Sequence, residues 1–244
     1  MTARKESKLK IVKILIGKEL EVYFNSPIAY VFIGAFLLAG NWLFFNYFFV
    51  NGQASLRSYF ALLPWIFLFL APAITMRAWS EEKRSGTIEF LLTLPLADWQ
   101  AVLAKFLAAM ILLALALALT VSLPLTIAGL GSLDWGPVVG GYLGGLLLGG
   151  LYLSIGLFIS SLTKNQIIAF VASLAACFVL FIVSSSFVLT GLPAGLATIA
   201  NFFGAGSHFD AMSRGLVDTR DVLYYVSAIW LFLWLNGRVL ASRK

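Results

Sequence analysis

Charge is what this sequence has least of. Asp, Glu, Lys and Arg make up 11% of its 244 residues and hydrophobic residues 61%, where soluble domains carry about 25% charge. A soluble enzyme is excluded, because a water-facing surface needs charge spread along the chain and here it falls in clusters. One cysteine, Cys177, excludes a disulfide framework within the chain. One histidine, His208, without a second nitrogen or thiolate nearby in sequence, is a poor start for a metal site. No phosphate loop G-x-x-x-x-G-K-[ST] occurs: Gly17-Lys18 lacks the upstream glycine and runs into Glu19. The chain is therefore not expected to be an enzyme or to hydrolyse ATP. HExxH and G-x-S-x-G are absent as well.

What the sequence has instead is long uncharged runs: 22–56, 58–76, 106–133, 135–163, 165–209 and 222–237. A bilayer core takes about 20 apolar helical residues, and these runs are continuous rather than alternating, which excludes a membrane barrel. The reading is an all-α integral membrane protein with one transmembrane domain, 1–244. Six transmembrane helices are expected at 27–50, 61–76, 102–128, 137–162, 166–190 and 222–240, the last lengthened by Arg238 snorkelling to the interface. Fourteen of the seventeen Lys and Arg residues fall on one side if the N-terminus is inside, leaving Arg57, Arg214 and Arg220 outside. The positive-inside rule then places both termini in the cytoplasm. It also reads the net charge of +6 as a match for anionic membrane lipid, not nucleic acid.

Residues 1–26 place Leu9, Val12, Ile16, Leu20 and Tyr23 at helical spacing opposite Lys10, Lys13, Lys18 and Glu21. That pattern suits a cytoplasmic interfacial helix, not expected to be a cleaved leader because of Glu19, Glu21 and the long run that follows. Asn25-Ser26-Pro27 ends it, with Ser26 a possible cap and Pro27 tolerated in the next first turn. The fourth span carries two glycine series at spacing four, Gly136-Gly140-Gly144 and Gly141-Gly145-Gly149. Such ridges let helix backbones approach closely, either within one subunit or across a homodimer seam. Residues 191–221 are too long for a turn, and 192–203 is apolar but too short to cross. An extracytoplasmic re-entrant segment is expected there, followed by His208, Arg214, Gly215 and Asp218, with His208 in a hydrogen-bonding role.

The one large inner loop, 77–101, holds the charged turn Glu81, Glu82, Lys83 and Arg84, then Gly86 as a break. Thr87 can cap a following helix with Glu89 in its first turn, and Ile88, Leu91, Leu92 and Pro95 line one face. The expected product is a short cytoplasmic coupling helix held under the membrane by two spans. Residues 81–95, E-x-x-x-x-G-T-I-E-x-L-L-T-x-P, resemble the intracellular coupling segment of type-2 ATP-binding-cassette (ABC-2) exporter permeases. Lys18-Glu19-Leu20 and residues 23–30 resemble the approach to the first span in the gliding-motility permease-like subgroup. Ser207-His208-Phe209, Arg214-Gly215 and residues 218–221 are similar to that subgroup's segment before the last span.

This resemblance implies a permease subunit of an ATP-driven exporter in the bacterial cytoplasmic (inner) membrane. Its implied partners are two copies of a cytoplasmic ABC ATPase and a second permease, identical or homologous. No cofactor is bound by this chain, ATP and Mg being used by the ATPase. Glu81, Glu82, Arg84, Gly86, Thr87 and Glu89 form the implied coupling site. Read from the residues alone, a membrane scaffold of a cell-surface or motility complex and a Na⁺-coupled carrier stay open. No buried charge or ligand cluster in the sequence names a substrate.

Overall fold

A computed structural model describes residues 2–51, 53, 55–88 and 97–242. The described residues form helices and no strand. They are α1 (Thr2–Phe24), α2 (Pro27–Asn51), α3 (Arg57–Thr75), α4 (Ser80–Ser85), α5 (Asp98–Leu119) and α6 (Ser122–Leu130). Then come α7 (Trp135–Ser160), α8 (Gln166–Ile182), α9 (Ser186–Thr190), α10 (Ala194–Phe203), α11 (Ala205–Ser213) and α12 (Thr219–Ala241). Five stretches are long and apolar enough to cross a membrane: Ala29–Asn46, Arg57–Ser85, Asp98–Leu130, Trp135–Ser160 and Thr219–Ala241. The protein is thus a multi-pass membrane protein. The other expected span, 166–190, holds the 17-residue α8 and the short α9.

α7 is the centre, packed by α3, α5, α8, α11 and α12. Its glycines are where those neighbours come in. A Cβ at Gly141 would sit 2.6 Å from the Phe60 ring of α3, and one at Gly145 3.2 Å from Leu63. Gly149 meets Leu113 of α5, Gly140 meets the Met212 carbonyl of α11, and Gly144 lies against Met212 and Phe209. Both glycine series are therefore occupied by helices of the same chain. Since lipid tails are as apolar as leucine, this close backbone approach, not water exclusion, drives the association.

Two expected spans are interrupted. Within 102–128, α5 stops at Leu119 and α6 begins at Ser122. Pro124 has no N–H to give the Thr120 carbonyl four residues back, and that carbonyl accepts from the Leu123 N–H and from Tyr142 Oη of α7, both at 2.9 Å. Within 166–190, the helix ends at Ile182 and resumes at Ser186. Ser184 there accepts a hydrogen bond from the Ser207 N–H at 3.1 Å, and Gly204 and Gly206 press against its side chain. Residues 191–221, expected to hold one short apolar helix, hold two, α10 and α11, meeting at Gly204.

Candidate functional site

The expected coupling loop leaves α3 at Thr75, and its charged turn is a full helical turn, α4, with Glu81 and Glu82 in the first turn and Lys83 and Arg84 in the last. That order suits the helix dipole at both ends. Gly86 ends α4 at φ +74°, a left-handed backbone that favours glycine, and a Cβ there would meet open space. Backbone conformation, then, and not crowding, calls for glycine at this position. Ser85 Oγ donates to the Glu81 carbonyl at 2.9 Å and Thr87 Oγ1 lies 2.9 Å from it. Thr87 also donates to the Glu82 carbonyl at 3.4 Å, so its hydroxyl faces back onto α4. Glu89 and the helix expected through Leu91, Leu92 and Pro95 lie outside the described residues; Ile88 is buried.

Beneath α4 is a charge cluster whose central member the sequence reading did not select. Lys105 of α5 has 5% of its side chain exposed and donates to Glu82 Oε1 at 2.7 Å and to Glu19 Oε1 of α1 at 2.8 Å. Its ammonium also lies 4.9 Å from the ring centroid of the fully buried Trp79, a cation–π distance. An ammonium buried this deeply needs compensation on all sides, and three side chains, Glu82, Glu19 and Trp79, supply it. Glu82 uses one oxygen; its other, buried Oε2 has no hydrogen bond among the described residues.

α4 is fastened to α7 as well. Ser160 Oγ accepts from the backbone N–H groups of Trp79 and Ser80, both at 3.2 Å, and donates to the Met76 carbonyl at 3.0 Å. Lys83 is buried and donates from Nζ to the Ser161 carbonyl. Arg77 donates from Nε to Gln166 Oε1 of α8 at 3.2 Å. Glu81, Arg84 and Thr87 are exposed, the face of α4 left to solvent. Of the expected coupling residues the structure thus brings Glu82 into a buried network and leaves Glu81, Arg84, Gly86 and Thr87 on the outside.

α1 reaches this cluster by packing along α5. Val12 and Tyr23 are buried, Leu20 and Phe24 pack against the core, and Lys10, Lys13, Lys18 and Glu21 are exposed. Glu19 is carried inward at the edge of the apolar stripe. A signal for it was present in the sequence: Lys105 is an unpaired charge three residues into an expected span, and such a charge demands an acid.

The distal residues do not share a site. His208 of α11 has Nδ1 2.6 Å from Asp221 Oδ1, donates from Nε2 to the Phe202 carbonyl at 2.9 Å, and stacks on Tyr224 with centroids 4.1 Å apart. Arg214 pairs with Asp210 one turn back along α11. Gly215, at φ +85°, lies against the Gly136–Pro137 backbone. Asp218 caps α12 by accepting from the Arg220 N–H at 3.0 Å, a bond that holds its carboxyl below the usual carboxylate range. Among the described residues no three His, Cys, Asp or Glu side chains converge as metal ligands would.

Residues 40–240 match the family model described as ABC-2 family transporter protein. The chain belongs to that family, whose members are the membrane components of ABC transporters and carry no ATPase domain of their own. They generally work with a cytoplasmic ABC ATPase. No curated protein matches the chain.

Proposed function

We propose that this chain is the permease subunit of an ATP-driven exporter of the gliding-motility permease-like subgroup, moved by a separate cytoplasmic ATPase through α4 and the loop after it. The observation that carries the reading is the burial of Lys105 between Glu82 of α4 and Glu19 of α1. A loop that only obeyed the charge bias of membrane insertion would have no reason to be clamped to α1, α5 and α7 at once. Clamped in this way, a push on the exposed face of α4 moves three helices of the bundle together.

In this reading both termini and α4 lie in the cytoplasm of a bacterial inner-membrane protein, and α8 with α9 completes a sixth crossing. Residues 191–221 enter the outer leaflet without crossing it. Two permeases and two ATPases make the working unit, with ATP and Mg held by the ATPases. Nucleotide can shift the permease only through contacts that differ between its states, and the exposed Glu81, Arg84 and Thr87 are placed to make them. Glu89 belongs to the same surface.

The test is ATPase stimulation in the reconstituted complex. Gly86→Pro, whose ring fixes φ near −65° where the backbone has +74°, should insert normally and abolish stimulation. Glu82→Lys should do the same by setting two cations face to face. Unchanged stimulation in both variants removes the loop from the mechanism, and a native complex with no nucleotide-binding chain would point to a scaffold instead.

A further inference from the structure

We infer that the groove between α2 and α3 at the α4 end of the bundle is a binding site for one anionic phospholipid, an acyl chain in the groove and the phosphate on Arg77. The groove has a volume of about 410 Å³ and is lined along both walls by apolar side chains. Phe32 of α2 and Ile74 of α3, 4% and 2% exposed, form its floor. Ala35 and Ala73 face it with nothing longer than a methyl group, which leaves the space open. Both walls belong to stretches apolar enough to cross a membrane, and Val31 on the rim is 66% exposed, so what meets the groove is lipid and not water.

Its end is different in kind. Arg77 is the first charged residue after α3 and lines the groove where the apolar walls stop. Its contacts to Gln166, at 3.2 Å, and to Glu81, at 3.9 Å, are both made by Nε. Among the described residues the two terminal nitrogens make no hydrogen bond, which leaves them for an anion, and a guanidinium grips phosphate through such paired N–H groups. A basic group closing an apolar groove at the end of two membrane helices matches a phospholipid's own layout, an acyl chain ending in a negative head. Glu81 offsets part of the charge, so preference for an anionic head is expected to be moderate.

The measurement is native mass spectrometry of the intact chain released from vesicles of equal phosphatidylglycerol and phosphatidylcholine. Wild type should keep the anionic lipid over the zwitterionic one by about fivefold, the worth of roughly one basic residue near an anionic surface. Arg77→Gln, a change at a half-exposed side chain, should bring that ratio to about one. Ala73→Leu should lower the retention of both lipids by filling the groove. Glycerol phosphate, which has the head and no chain, should displace neither. Equal retention by wild type, an unchanged ratio in Arg77→Gln, undiminished binding in Ala73→Leu, or displacement by glycerol phosphate would each overturn the assignment. None of these readouts involves nucleotide, so they stand or fall apart from the transport reading.

Discussion

The two ends of α7 are held in opposite ways. At the Ser160 end the fastening is polar and long-range: Ser160 Oγ accepts from the N–H groups of Trp79 and Ser80, 81 and 80 positions away in sequence, and α4 is in turn tied through the buried Lys105 ammonium to Glu19 of α1. At the Trp135 end it is steric. Glycines admit α11 directly onto the α7 backbone, and the side-chain contacts His208–Asp221 and Arg214–Asp210 span 13 and 4 residues. Close packing fixes one arrangement, because displaced backbones collide. A charge network tolerates displacement provided the partners travel together. In the proposed coupling, the Ser160 end, which carries α4, is the one to move as a lever, and the Trp135 end the one to stay put.

The comparison breaks most decisively at Lys105. Lys105→Met removes the cation from between two carboxylates, each still about three-quarters covered, and should cost about 3 kcal/mol, in the range for breaking a buried pair. Thermal unfolding in nanodiscs measures it. Glu19→Gln should cost less than Lys105→Met, because it leaves Lys105 paired with Glu82. Equal losses in the two variants would mean that the cluster is not a hub.

His208→Phe sharpens the contrast at the other end. It keeps a ring against Tyr224 but strands Asp221, whose side chain is 12% exposed, and should cost about 2 kcal/mol, the penalty for an unsatisfied buried acceptor. If the two ends are as different as their chemistry, this variant lowers stability while leaving ATPase stimulation intact in the reconstituted complex.

Asp218→Ala should have the smallest effect, since the cap is at the surface. Its sign with pH is set: the folded carboxyl titrates below its unfolded value. The cap therefore contributes fully above the unfolded value and is lost as pH falls through the folded one. The melting difference between wild type and Asp218→Ala should be present at neutral pH and vanish in acid. A difference that persists in acid would assign the effect to something other than the carboxylate.

Much of this organisation was legible without coordinates. Continuous uncharged runs mark helices because a lipid-facing backbone must satisfy its own hydrogen bonds, and α2, α3, α7 and α12 fall within a few residues of the runs that mark them. Gly86 was legible as a break, since no residue continues a helix so poorly apart from proline. Interruptions were harder to see. The Thr120 carbonyl that Pro124 cannot bond is shared by the Leu123 N–H and by Tyr142, 22 residues on, and the stop at Ile182 lies where the junction at Gly204 presses on Ser184.

Composition and order along the chain, then, determined that this protein lives in a membrane, roughly where its helices run, and that the loop after α3 turns at Gly86. Those properties follow from the energy of each segment against lipid or water taken by itself. Tertiary structure decided that the glycine ridges of α7 are filled by α3, α5 and α11 of the same chain. It also decided that Glu19 and Glu82 meet on Lys105. Both are outcomes of pairing, and pairing energies depend on distances between segments, which no single stretch of sequence contains.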